Sequence, residues 1–141
     1  YMIDSSFITT LPDTWGIGEK FLMLPVNKWD NEYHRVVLGG ITCDSHDYYD
    51  SEEHINEVFL PKLKTLDPKD LDSNKEPLYV GFFHTGAYQD QISGYGGIKH
   101  CLIPSPKHVI VERDRNGKLI EWVYAKEQTA QSMLKILGYL R

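Results

Sequence analysis

The sequence predicts a mainly β protein, a β-sandwich or barrel-like sheet domain with short helical turns and a C-terminal helix. Three observations predict it. Aromatic residues, most of them Tyr, make up 12% of the 141 residues, which favours strands. Short apolar runs alternate with turn-forming residues, and the pair Asn116-Gly117 joins two β-rich runs. Residues 126–138 alone have a clear helical spacing of apolar positions.

Length and charge bound the class of protein. A chain of 141 residues with 41% hydrophobic content suits a single domain, so residues 1–141 are predicted to form one. The net charge of -5 argues against binding to nucleic acid. No apolar run is long enough to span a membrane, so no membrane partner is expected. The two cysteines, Cys43 and Cys101, are too few for the disulfide framework of a secreted protein, so we expect the protein to be located in the cytoplasm.

The first part of the chain is expected to alternate strand and turn. Residues 2–10 favour a strand, and residues 11–18, with a proline and two glycines, favour a turn. Residues 21–26 contain a proline and predict an edge strand. Residues 33–42 are the best strand candidate, and their nearly continuous apolar character predicts burial on both faces.

The middle of the chain predicts two more short strands. Residues 55–60 alternate weakly, and residues 62–77 are polar and charged, which predicts a loop or a short helical turn. Residues 78–83 predict a second apolar strand. After it, His84 or Thr85 is expected to start a short helix, whose N–H groups would favour an anion.

The last third is expected to hold a loop, a hairpin and a helix. The glycine-rich residues 93–97 lack the spacing of a P-loop or a dinucleotide-binding turn and therefore favour a flexible loop. Residues 108–114 and 118–124 predict a β-hairpin. The helix predicted over residues 126–138 has an apolar stripe that we expect to pack on the sheet. The stripe consists of Ala130, Met133, Leu134 and Leu137.

A thiol and two carboxylates follow the best strand candidate. The apolar run breaks at Gly39 and Gly40, and Cys43, Asp44 and Asp47 follow within a few residues. Catalytic groups are often carried on loops by a rigid scaffold, and the two glycines allow a bend or the close approach of another backbone or a ligand. A small buried cysteine beside solvated acidic turn residues is the alternative interpretation.

The charges around Cys43 favour a proton donor over a nucleophile. Carboxylates such as those of Asp44 and Asp47 raise the pKa of a thiol above its unperturbed value of about 8.5, which keeps the proton on the sulfur at neutral pH. A nucleophilic cysteine instead needs cationic neighbours, which lower its pKa. The six histidines have no paired zinc spacing, and no metal site is predicted. No Gly-x-Ser-x-Gly elbow indicates a serine hydrolase.

Three separated motifs resemble one enzyme family. They are Leu-Pro-Asp-Thr-Trp-Gly-Ile at residues 11–17, Ile-Thr-Cys-Asp-Ser-His-Asp at residues 41–47 and Gly-Phe-Phe-His-Thr-Gly-Ala-Tyr-Gln at residues 81–89. In this order they resemble the C-terminal domain of the pyridoxal-phosphate-dependent arginine, ornithine and diaminopimelate decarboxylases. The first and third motifs are most similar to the biosynthetic arginine decarboxylases. The pair His46-Asp47 is nearer the forms found in the ornithine and diaminopimelate decarboxylases, so ornithine and diaminopimelate remain alternative substrates. A catalytically silent domain that mediates dimerisation is a further alternative.

The resemblance implies a two-part enzyme. An alanine-racemase-like β/α barrel, with the Lys that holds pyridoxal 5'-phosphate as a Schiff base, is expected outside this chain, which should therefore be inactive alone. The implied reaction converts arginine to agmatine and CO2 for polyamine and spermidine biosynthesis. The implied partners are the barrel of the same protein, a second copy in a homodimer or higher homo-oligomer, and a small amino-acid substrate. Mg²⁺ is a further cofactor that the resemblance allows.

Residue roles follow from the same resemblance. Cys43 is expected to reach the partner's cofactor across the dimer interface and to protonate Cα after CO2 leaves. Asp44 is expected to bind the distal cationic group of the substrate. Tyr88 is expected to donate a hydrogen bond to the cofactor phosphate, and Gly86 is expected to be a second cofactor-binding residue. Ser45 and Asp47 are expected to support the interface or the loop.

Overall fold

A computed structural model describes residues 1–49, 58–63, 77–89 and 96–140. The chain divides into two compact units, Tyr1–Ile92 and Ser93–Arg141, which are described separately. Four two-stranded antiparallel sheets and three α-helices lie within the described residues. The prediction of a mainly β fold with a C-terminal helix is thus confirmed, whereas the prediction that residues 1–141 form one domain stays a prediction.

In the described residues of the first unit, two helical segments precede the strands of three small sheets. Its strands pair β1 with β6, β2 with β5 and β3 with β4, all antiparallel. The elements are α1 (Phe7–Thr10), α2 (Pro12–Ile17), β1 (Leu22–Pro25), β2 (Tyr33–Arg35), β3 (Leu38–Gly39), β4 (Tyr48–Tyr49), β5 (Phe59–Pro61) and β6 (Val80–Phe83).

The two helices correct the predictions for residues 2–18. The Oγ of Ser6 caps α1 by accepting the N–H of Thr9 at 3.3 Å. Pro12 opens α2, where the missing N–H of proline costs no helical hydrogen bond. Gly18 ends α2 with a φ of 69°, a left-handed conformation that favours glycine. The predicted strand over residues 2–10 is therefore wrong from Phe7 onward, and the predicted turn over residues 11–18 is a helix.

The strand predictions for the first unit are confirmed in part. Strands β1 and β6 pair with each other at the predicted places, from Leu22 opposite Phe83 onward. The predicted strand over residues 33–42 divides into β2 and β3, and its burial alternates: Leu38 is 1% exposed, whereas Val37 is 52% exposed. Burial on both faces is therefore wrong, since this segment is covered on one side only.

Aromatic packing forms the centre of the core in the first unit. The Phe7 and Tyr49 rings stack with centroids 5.4 Å apart, and Phe82 meets Tyr49 edge-on at 5.1 Å. The hydroxyl of the fully buried Tyr49 donates to the Phe21 carbonyl at 3.0 Å, so its polar atom is satisfied. The buried core residues are Phe7, Leu11, Phe21, Met23, Leu38, Tyr49, Val58 and Leu60.

The second unit holds the predicted hairpin, which is confirmed. Strands β7 (His108–Arg113) and β8 (Leu119–Ala125) pair antiparallel after a short 3₁₀ turn over His100–Leu102. The carboxylate of Asp114 accepts the Asn116 N–H at 2.8 Å and closes the turn, and Gly117 has a φ of 80°. The Asn-Gly pair thus forms the connection that its local chemistry predicts.

The predicted C-terminal helix is confirmed as α3 (Ala130–Ile136). The Thr129 hydroxyl caps it by accepting the Ser132 N–H at 3.1 Å. No residue of α3 is buried, so the prediction that its apolar stripe packs on the sheet is wrong.

Several predictions fall wholly or partly outside the described residues. They are the strand over residues 55–57, most of the loop over residues 62–77 and most of the glycine-rich loop over residues 93–97. Residues 84–88 are not helical and Gln89 is helical, so the short helix expected after His84 or Thr85 begins later than either residue, at the edge of the described range. Within the described part of the chain, no helix has the length and apolar character needed to cross a bilayer.

Candidate functional site

The loop that carries Cys43 is closed by its own backbone. The N–H of Gly40 donates to the Asp47 carbonyl at 2.8 Å, and the Asp47 N–H donates to the Asp44 carbonyl at 3.1 Å. The Asp44 carboxylate also accepts the His46 N–H at 2.8 Å. These bonds hold residues 40–47 as a compact loop that leads from β3 into β4.

The buried carboxylate of Asp47 ties this loop to the start of α1. It is 5% exposed and accepts the Phe7 N–H at 2.7 Å and both the N–H and the hydroxyl of Thr42. Burial alone would raise the pKa of Asp47, but the hydrogen bonds from Thr42, Phe7 and Ser6 outweigh it and hold this pKa below its usual value. Asp47 is therefore a charged anchor at neutral pH.

The two glycines before the loop confirm the predicted close approach. A Cβ added at Gly40 would lie 2.2 Å from Oδ1 of Asp47, and one added at Gly39 would lie 2.7 Å from Sδ of Met2. At Gly39 another backbone also comes close, as expected, because the Gly39 N–H donates to the Tyr1 carbonyl at 2.7 Å. At Gly40 the approaching group is a side chain, the Asp47 carboxylate. The carboxylate at Gly40 cannot withdraw easily, because its hydrogen bonds to Phe7 and Thr42 hold it.

Substitution of Gly40 by alanine is expected to open this loop. The new methyl group displaces the anchored Asp47 carboxylate, which should lower the free energy of local opening by about 1–3 kcal/mol. Amide hydrogen exchange over residues 40–47 of the full-length protein measures the change. Gly97→Ala is the matched control, because a Cβ there meets nothing within 4 Å. Unchanged exchange over residues 40–47 in Gly40→Ala would mean that the carboxylate has room to move.

The closed loop presents a thiol and a carboxylate to solvent. Cys43 is exposed, which excludes the alternative of a small buried cysteine. The Asp44 side chain is 36% exposed, and its Oδ1 lies 3.6 Å from Nδ1 of His46, whose own side chain is 82% exposed. Ser45 is exposed too, with its Oγ 3.3 Å from the same imidazole nitrogen. An accessible proton donor thus stands next to an accessible anion that can bind a cationic group.

A second loop, at the end of β6, presents a phenol. Tyr88 is 51% exposed, and Gly86 has a φ of 100° with open space where a Cβ would be. A phenol O–H is a hydrogen-bond donor at neutral pH, and the bare backbone at Gly86 allows a ligand to approach closely. This donor set and open backbone fit an anionic group such as a phosphate.

Both loops are held by opposite ends of α1. The Phe7 N–H at its start binds the Asp47 carboxylate at 2.7 Å, and the Thr10 carbonyl at its end accepts Nε2 of Gln89 at 2.8 Å. Asp13, at the start of α2, accepts the Tyr88 N–H at 3.4 Å. Asp13 was absent from the predicted site residues, although it is the acidic residue of the Leu-Pro-Asp motif.

Known proteins similar to this chain are arginine decarboxylases. The biosynthetic arginine decarboxylase of Marinobacter nauticus is 33% identical over 98% of the chain, and that of Thermosynechococcus vestitus is 29% identical over 100%. The arginine decarboxylase of Avena sativa is 33% identical over 83% of the chain. The chain spans about a fifth of the length of these relatives: 20%, 20% and 18%. No protein-family model matches the sequence.

The predicted family resemblance is confirmed by these similarities. They cover nearly the whole chain, including residues beyond 91, where the motifs had indicated no resemblance. The roles predicted for Cys43, Asp44, Ser45, Tyr88 and Gly86 stay predictions.

Proposed function

Because the chain is homologous over nearly its whole length to a segment of the arginine decarboxylases, we propose that it is the C-terminal part of a pyridoxal-phosphate-dependent enzyme of this activity. The enzyme converts arginine to agmatine and CO2. The observation that carries the proposal is the 33% identity over 98% of the chain to the Marinobacter nauticus enzyme. The exposed thiol of Cys43, beside the accessible carboxylate of Asp44, suits the proposed reaction.

The second loop suits the phosphate of the cofactor. When bound, pyridoxal phosphate supplies the electron sink that accepts the electron pair of the breaking bond to the carboxylate. The Tyr88 hydroxyl would hold the phosphate by donating a hydrogen bond to it. The open space at Gly86 lets that oxygen come close to the backbone. The Lys that holds the cofactor is proposed to lie outside this chain. The Mg²⁺ that the resemblance allows stays a prediction.

The first loop binds the substrate and supplies a proton. Asp44 pairs with the distal guanidinium, a cation that matches a carboxylate in charge and geometry. The Cys43 thiol gives its proton to Cα, so that a C–H bond replaces the bond to CO2. The resulting thiolate takes a proton back from water, to which the exposed side chain has access. Asp47 keeps the loop in position through its bonds to Phe7 and Thr42.

The proposal includes the assembly around this chain. The active site would lie at a dimer interface, with the cofactor held by the barrel of one protomer and Cys43 supplied by its partner. We propose the cytoplasm as the location and polyamine biosynthesis as the process. A decarboxylase for ornithine or diaminopimelate remains the second candidate, favoured by the pair His46-Asp47, which is nearer the form found in those enzymes.

Assays of the full-length protein and of the isolated chain test the proposed function. The full-length protein is expected to release agmatine and CO2 from arginine, with a cofactor absorbance that the apoenzyme lacks. The chain of residues 1–141 is expected to release no agmatine, because the proposed cofactor-binding Lys lies elsewhere. Borohydride reduction and mass spectrometry detect any Lys that holds the cofactor. Agmatine from the isolated chain with one labelled Lys would contradict the division of the site, and a full-length protein inactive on arginine would contradict the proposed substrate.

A further inference from the structure

The Leu-Pro-Asp motif has no role in the function proposed so far, yet its acidic residue is buried. Asp13 is 2% exposed in the first turn of α2, and its Oδ1 has no hydrogen-bond partner in the described part of the chain. A buried carboxylate with an unpaired oxygen costs free energy through lost hydration. The other carboxylate oxygen of Asp13, Oδ2, does accept a hydrogen bond.

That contact leads to the loop that presents the phenol. Oδ2 of Asp13 accepts the N–H of Tyr88 at 3.4 Å, across 75 positions of the sequence. The next residue, Gln89, donates from Nε2 to the Thr10 carbonyl at 2.8 Å, across 79 positions. Two adjacent residues are thus tied to α1, through Thr10, and to α2, the helix that the first motif forms.

Both ties leave the phenol of Tyr88 exposed. Tyr88 is held through its N–H, whereas its side chain is 51% exposed. The neighbouring Gly86 has a φ of 100°, in a region of conformational space that gives a loop little rigidity of its own. Among the described residues, the two ties join both Tyr88 and its neighbour Gln89 to the helices, so they restrict the direction in which the phenol points.

We propose that Asp13 and Gln89 are positioning residues that hold the Gly86–Gln89 loop so that the Tyr88 hydroxyl is presented to the cofactor phosphate. The inference rests on the proposed function, because the phosphate is the group that Tyr88 would meet. Neither residue touches the phosphate: Asp13 holds the backbone N–H of Tyr88, and Gln89 holds the adjoining position through its own side chain. A pre-organised donor binds an anion more tightly than a mobile one, because less freedom is lost on binding.

A double-mutant cycle in the full-length enzyme tests this role. Pyridoxal phosphate is titrated into the apoenzyme of wild type, Asp13→Ala, Tyr88→Phe and the double variant, and the dissociation constant is read from the cofactor spectrum. Asp13→Ala is expected to weaken binding on the order of 10-fold, as for the loss of a single well-placed interaction. In the Tyr88→Phe background the same change should add almost nothing, because the hydroxyl it positions is already gone. Asp30→Ala, at an exposed position, is the control and should bind like wild type.

The outcomes separate this inference from the proposed function. An equal loss from Asp13→Ala in both backgrounds would overturn the inference, since it would show a general structural effect. A Tyr88→Phe enzyme that binds like wild type would overturn it as well, together with the role of Tyr88. A wild-type apoenzyme that does not bind pyridoxal phosphate would instead overturn the proposed function.

Hydrogen exchange gives a readout independent of the cofactor. Amide exchange over residues 85–89 of the apoenzyme is expected to be faster in Asp13→Ala than in wild type and unchanged in Tyr88→Phe, whose N–H keeps its acceptor. If Asp13→Ala fails to fold, Gln89→Ala takes its place in the cycle, because it breaks the bond to Thr10 from a side chain that is only half-buried. The same lack of additivity with Tyr88→Phe is expected, and full additivity overturns the inference.

Discussion

Replacing Cys43 by alanine in the full-length enzyme is expected to slow agmatine release by about 10²–10⁴-fold, the usual contribution of a positioned acid. The thiol is exposed on a loop whose ends are joined by the bond from the Gly40 N–H to the Asp47 carbonyl, so the alanine should leave the loop intact. Stopped assays that quantify CO2 and agmatine separately measure the loss. Cys101→Ala, at the other exposed cysteine, is the matched control and should be as active as wild type.

The products of the Cys43→Ala enzyme carry further information. Without the positioned thiol, the proton is expected to reach the wrong atom in part of the turnovers. Such turnovers release CO2 and an aldehyde in place of agmatine, and the amino group stays on the cofactor as pyridoxamine phosphate. The ratio of agmatine to CO2 should therefore fall below one. A variant that keeps the wild-type rate and forms one agmatine for each CO2 would remove Cys43 from the chemistry.

The second large effect is expected at Asp44. Replacing it by asparagine keeps the shape and an acceptor for the His46 N–H, which the carboxylate binds at 2.8 Å, but removes the charge. If a charged hydrogen bond is worth about 1.5–3 kcal/mol, kcat/KM for the cationic substrate should fall by about 10- to 150-fold. Asp30→Asn is the control, as an exposed aspartate outside both loops.

A panel of three substrates assigns the specificity in the same experiment. Arginine and ornithine end in a cation, whereas diaminopimelate adds a carboxylate that a second carboxylate at Asp44 would repel. Wild type is expected to prefer arginine, and Asp44→Asn is expected to lose most on arginine. A wild-type preference for diaminopimelate would mean that the proposed substrate is wrong. Normal activity of Asp44→Asn on arginine would mean that the substrate-binding role assigned to Asp44 is wrong.

Local chemistry explains which elements could be predicted from the sequence. The hairpin depends on the Asn116-Gly117 pair and on a carboxylate two positions before Asn116, all within one turn. The C-terminal helix likewise carries its own cap in Thr129. The two N-terminal helical segments also had local signals, a serine before α1 and Pro12 at the start of α2, but the β-branched residues and glycines around them favoured a strand and a turn.

Burial and the role of the Leu-Pro-Asp motif could not be predicted in this way. Whether Val37 faces solvent while Leu38 is buried depends on what covers each side of a small sheet, which apolar character alone does not reveal. The contact between Asp13 and Tyr88 spans 75 positions, so no window of neighbouring residues contains both partners.

The sequence by itself determined which reactive side chains this protein carries and in what order, and the tertiary structure decided how the loops that carry them are held. The order of the motifs, with Cys43 and Asp44 side by side and Tyr88 farther on, was enough to identify the resemblance, because reactive groups are properties of single residues. Only the folded chain joins Asp47 to Phe7 across 40 positions. Such anchors depend on hydrogen bonds whose geometry exists only once distant segments have packed, and hence no local pattern could indicate them.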